Sequence, residues 1–154
     1  LGITIVLITH EMQVIREICD QVVVIEKGEI VESGQVWSVF SNPEKAITQE
    51  LLNLEQLDLP FALYPEKDNT VSHTILKLKY ASEAKHSPDL AQILNRFGHS
   101  VHLYQSHIDT IQNHLVGTLI VGVADLDIDL QQLTQQLKNQ IAHVEVLGYA
   151  RPTH

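Results

Sequence analysis

The sequence predicts two folding units of different class: an α/β segment over residues 1–52 and a complete α+β domain over 70–150, joined by a connection over 53–69. Three observations carry that division. A nearly unbroken β-branched and leucine run at residues 3–8 reads as a strand covered on both faces and is followed by a helical stretch. Residues 53–69 lose periodicity and acquire Pro60 and Pro65. Beyond them, period-two and helical patterns follow one another as strand, helix, strand, strand, helix, strand.

In the first segment, the strand Thr4-Ile5-Val6-Leu7-Ile8 delivers Thr9-His10-Glu11-Met12 to the mouth of a helix over 11–18. Thr9 is placed to cap that helix. Ligand-contacting groups in open α/β sheets lie beyond the carboxyl ends of strands, so His10 stands where a phosphate or substrate would be met. The same polar triplet also suits a plain cap and first helical turn. Residues 19–34 then hold two β-rich runs around a turn containing Gly28. A short helix is expected at 36–40, followed by Asn42-Pro43. A second is expected at 44–54, with Ile47, Leu51, Leu52 and Leu54 as its apolar stripe.

The second unit opens with Leu76, Leu78 and Tyr80 alternating with Lys77 and Lys79, a strand with one wet face. Ser87-Pro88-Asp89 starts a helix: Ser87 caps, Pro88 suits the first helical position and Asp89 complements the dipole. Leu90, Ile93, Leu94 and Phe97 keep helical spacing up to Gly98, which suits a left-handed stop. Strands are expected over 101–111 and 117–123, turning near Gln112-Asn113-His114. A helix over 127–142 buries Leu130, Leu133, Leu137 and Ile141, and a strand over 144–149 completes the set. This βαββαβ order is the ferredoxin-like plan, with two helices on one face of a four-stranded antiparallel sheet. The strand after the first helix lies at a sheet edge in that plan. Its free backbone groups can pair with a partner strand or meet the polar ends of a small ligand.

Composition narrows the function classes. Nineteen acidic residues against ten basic ones give a formal charge of −9, which disfavours nucleic acid and acidic membrane surfaces. The longest apolar run is far short of the roughly 18 residues a spanning helix needs. The single cysteine, Cys19, forms no internal disulfide, fits a reducing cytoplasm and reads as a core thiol. No charged-then-apolar leader precedes the first strand, so no export is expected.

The order of residues 4–43 resembles the end of an ATP-binding-cassette ATPase domain. There the strand-Thr-His element is the switch histidine loop, so the resemblance implies that His10 contacts the γ-phosphate of ATP, with Mg as cofactor of the parent protein. The sequence departs from that family in having no Gly-x-x-x-x-Gly-Lys-Ser/Thr, no signature loop and no catalytic glutamate. The chain is therefore expected to be the carboxyl-terminal part of a longer transporter ATPase. By itself it is expected to bind no cofactor and hydrolyse no ATP.

The second unit looks like the regulatory NIL domain, ACT-like in plan, at the carboxyl end of methionine-importer ATPases. Phe97-Gly98, 101–108, 116–121 and 144–149 carry the likeness. The resemblance implies methionine as ligand, a homodimer through this domain, inhibition of transport when methionine is plentiful, and a site on the cytoplasmic side of the membrane. It also implies partnership with a membrane subunit and a substrate-binding protein. The ligand or dimer-edge residues would be Val101, His102, Leu103, Tyr104, Gln105 and Ser106, which also suit a simple edge strand. The family commonly has an Asn-Ile-Leu-type run where this chain has His102-Leu103-Tyr104. Two alternatives stand beside sensing: an interaction module that only dimerises, and a sensor of another small ligand or metal. No metal site is expected, because His99, His102 and His107 lack cysteine partners and a closed tetrahedral pattern. The aspartates Asp125, Asp127 and Asp129 lack the glycine and glutamate of a calcium loop and are assigned to a helix amino terminus.

Overall fold

A computed structural model of the chain describes residues 2–52, 57–83, 88–98, 100–124, 129–138 and 140–151. It divides into two compact units, Leu1–Leu57 and Asp58–His154.

Unit 1 begins with a correction. Residues 3–8 form no strand, and Ile5, Val6 and Ile8 are 83%, 86% and 95% exposed. A parallel-type run needs neighbouring strands for its backbone groups and cover for both faces. Among the described residues none lies beside it. Helix α1 (Met12–Ile18) follows, with Glu11 at its N-cap and no side-chain cap. Thr9, expected to cap it, instead accepts the Glu11 N–H at 3.0 Å, two residues ahead of the N-cap position. Cys19, expected in the core, is half-buried at the end of this helix.

The hairpin appears as expected: β1 (Gln21–Glu26) pairs antiparallel with β2 (Glu29–Gln35). Its two-residue turn, Lys27-Gly28, has both φ positive, the twist that suits a tight hairpin. Helix α2 (Val36–Ser41) buries Val36, Val39 and Phe40 beside Ile15, Val22 and Val24. Helix α3 (Ala46–Leu51) is shorter than the expected 44–54, and the expected stripe is not its buried face. Leu51 is exposed, Ile47 and Leu52 are half-buried, Leu54 lies outside the described residues, and the buried side chain is Thr48. Its hydroxyl donates to Glu32 of β2, which also accepts the Glu44 and Lys45 N–H groups. Those donors precede or open α3, so a strand carboxylate does the capping that no local side chain does.

Unit 2 has the order β3 (His73–Glu83), α4 (Leu90–Asn95), β4 (Val101–Ile111), β5 (His114–Ala124), α5 (Leu130–Gln136), β6 (His143–Ala150). The strands form one antiparallel sheet in the order β4-β5-β3-β6. Leu76, Leu78, Leu119, Val121, Val123 and Val144 meet Ile93 of α4 and Leu133 of α5 in a closed core, joined by Phe97, Leu137 and Ile141. The expected helices shorten to their well-packed turns. Asp89, not Ser87, is the N-cap of α4, accepting the Gln92 N–H at 3.0 Å, and Ser87 lies outside the described residues. Asp129 caps α5 by accepting from Gln131, while Asp125 and Asp127 fall outside. Gly98 ends the first helical stretch with φ +88°. Strand β5 starts at His114, earlier than the expected 117, because Gln112-Asn113 alone makes the turn, again with both φ positive.

Residues 61–64 lie in unit 2 against its sheet. Tyr64 and Tyr149 exchange two backbone hydrogen bonds of 2.8 Å, so the outer edge of β6 is occupied. The outer edge of β4 carries no strand among the described residues.

Candidate functional site

His10 sits on exposed backbone ahead of α1, its side chain 92% exposed and its Nε2 3.8 Å from Glu11 Oε1. Residues 3–8 present it to solvent rather than to a sheet. A shallow cleft beside β2 is lined by Glu26, Ile30, Lys45 and Glu50, and His10 does not line it.

The six candidates of unit 2 all lie on β4, and the register divides them between two faces. Val101 pairs with Val123, Leu103 with Val121 and Ser106 with Leu119, the partners being core residues under the helices. His102 pairs with Gly122 and Gln105 with Ile120, on the opposite face. The register shifts between Leu103 and Gln105, leaving Tyr104 as the extra residue of a bulge. A bulge re-aims a side chain, and the Tyr104 ring joins the face opposite the helices. A Cβ added at Gly122 would meet Tyr104 Cε2 at 2.5 Å and Ile75 Cδ1 at 3.2 Å, so the bare glycine is the seat of that ring.

Two further residues, Phe61 and His73, complete this face. Phe61 packs edge-on against Tyr104 with ring centroids 4.7 Å apart at 71°. His73 lies 6.0 Å from His102, and His102 is stacked 6.3 Å from Tyr104. Gln105 Oε1 is buried without a hydrogen bond among the described residues. A polar atom in that position favours a donor, at a cost of about 1–3 kcal/mol if none comes. Sequence reasoning named His102, Tyr104 and Gln105, which lie together on this face. It missed Phe61, which lies in a stretch without periodicity, and Gly122, whose role depends on a bulge in another strand.

Lys77 and Lys79 alternate with the core residues of β3 and pair with Glu145 and His143 of β6. Burial holds the Lys79 ammonium below its ordinary pKa, Lys77 lowers it further and Glu145 partly restores it. In unit 1, burial raises the Glu32 pKa. The hydrogen bonds from Glu44, Thr48 and Lys45, with the Lys45 charge, outweigh it and hold the carboxylate below its ordinary value. Among the described residues no three His, Cys, Asp or Glu side chains gather as metal ligands, and His99 lies outside them. Nor is any described helix long and apolar enough to cross a membrane.

Comparison with known proteins adds two findings. Residues 74–146 match the family model of the NIL domain. The chain is 68% identical over all 154 residues to the methionine import ATP-binding protein MetN 1 of Acinetobacter baylyi, and spans 43% of that relative's length.

Proposed function

From the premise that this chain is homologous to the carboxyl-terminal region of a methionine import ATP-binding protein and carries a NIL domain, we propose that unit 2 senses cytoplasmic methionine and restrains the transport ATPase of which unit 1 is the end. The observation that carries the reading is the outer edge of β4, where no strand pairs among the described residues, with Val101, His102, Leu103, Tyr104, Gln105 and Ser106 along it, inside the matched domain. The βαββαβ order and the strand order β4-β5-β3-β6 support a ferredoxin-like, ACT-like plan. An edge strand offers backbone donors and acceptors to the ammonium and carboxylate of an amino acid. Half-buried Val101 and exposed Leu103 offer apolar contact to a thioether. The same edge suits pairing with a second copy, giving a homodimer through this domain.

Unit 1 supports the ATPase half of the proposal by its exposure. Ile3, Ile5, Val6 and Ile8, with Val23, Ile25 and Ile30 of the hairpin, present apolar surface that needs a cover. The part of the relative beyond the matched 43% is the natural source of one. In the full protein His10 would donate to the γ-phosphate of ATP bound with Mg, and unit 1 would lie at the cytoplasmic side of the membrane in an assembly that includes a membrane subunit and a substrate-binding protein. The acidic charge of −9 supports no nucleic acid as partner.

Isothermal calorimetry with methionine at near-neutral pH tests the sensor. Saturable heat that Gln105→Ala weakens is expected, and no heat at millimolar methionine removes the proposal. Dimerisation that methionine leaves unchanged, measured by sedimentation, would favour the purely interacting module instead.

A further inference from the structure

We infer that residues 61–64 form a strap that couples the β4 edge to the outer edge of β6. The inference rests on the reading of β4 as the ligand or dimer edge. At one end, Tyr64 is held to β6 by its two backbone hydrogen bonds with Tyr149. Leu63 lies beside Gly148, where a Cβ would meet the Tyr64 carbonyl oxygen at 2.9 Å and Leu63 Cβ at 3.5 Å. At the other end, the Phe61 ring rests on Tyr104 of β4. Strands β6 and β4 are the two outer strands of the sheet. Tyr64 stands one spacing beyond β6 and so four spacings, about 19 Å, from β4, while three residue steps of extended chain cover about 10 Å. The two aromatic rings span the remainder across the face opposite the helices.

The β4 anchor is conditional on local geometry. Tyr104 is the extra residue of the bulge and is seated only because Gly122 has no side chain. A ligand or partner strand that pulls β4 into regular pairing re-aims Tyr104 and takes away the partner of Phe61. The strap then has two arrangements, docked and released, and its amino-terminal end leads by covalent connection into unit 1. Reciprocity follows: the factor by which occupancy of the β4 edge favours release of the strap is the factor by which a docked strap weakens binding at that edge.

Amide hydrogen exchange in the full chain, without ligand, tests the strap. Tyr104→Ala is expected to speed exchange of the Tyr64 amide about 2-fold to 10-fold, the range an aromatic pair supports. Leu103→Ala, one residue away on the helix side, is expected to leave it unchanged. Equal Tyr64 exchange in the two variants overturns the inference. Should Tyr104→Ala not fold, Phe61→Leu is read at the Gly122 and His102 resonances. Shifts there support the strap and unchanged positions overturn it. Methionine heat with unaltered Tyr64 exchange sinks the strap alone. Faster exchange without methionine heat retains the strap contact and sinks the sensor.

Discussion

Residues 3–8 of unit 1 and residues 74–80 of unit 2 are both rich in strand-forming apolar side chains, and the molecule treats them oppositely. Leu76 and Leu78 are fully buried in β3, whereas Ile5 and Ile8 are 83% and 95% exposed and belong to no strand. The difference is one of neighbours rather than of intrinsic preference. Strand β3 is flanked by β5 and β6 and roofed by α4 and α5. Residues 3–8 have no strand beside them among those described. A strand signature in sequence therefore reports the environment for which a segment is suited, and that environment must be supplied by something else.

The largest effect that can break this comparison comes from paired core truncations. Leu78→Ala should cost unit 2 about 2–5 kcal/mol in urea unfolding. Ile5→Ala should change the stability of the chain by less than about 0.5 kcal/mol. A comparable loss from both would mean that residues 3–8 are buried in solution. Next is Gly117→Ala, where the new Cβ would stand 2.3 Å from the His107 carbonyl oxygen, on backbone that cannot yield cheaply. A loss of about 1–3 kcal/mol is expected from the same measurement.

Smaller effects sharpen the contrast in how helices are started. In unit 2, Asp129→Ala removes a local cap and should cost about 1 kcal/mol. In unit 1 the cap of α3 is supplied from β2, so Glu32→Gln should cost about 1 kcal/mol and loosen α3 without loosening the hairpin turn, as read by amide exchange. Because the folded pKa of Glu32 is lowered, its contribution is fully present above the ordinary glutamate value of about 4.3 and is lost as pH falls through the lowered one. Acid titration of unit 1 stability should show that loss in the native chain and lack it in Glu32→Gln.

What the sequence revealed follows the range of each interaction. Both hairpins, the element order of unit 2 along the chain and the core residues Leu76, Leu78, Ile93, Leu133 and Leu137 were readable, because periodicity and turn chemistry are local. Helix ends were less so: Asp89 replaced Ser87 as cap, and the stripe on 44–54 gave way to Thr48, whose burial depends on Glu32 sixteen residues earlier. At the candidate site, the edge position of β4 came from topology alone. The bulge at Tyr104, the seat at Gly122 and the contact with Phe61 are long-range facts that no single stretch of sequence displays.

Amide exchange across the whole chain with and without saturating methionine tests the central claim most directly. Protection is predicted along β4 at residues 101–106, with residues 3–8 exchanging fast in both states. Protection confined to unit 1, or none anywhere at millimolar methionine, would contradict it.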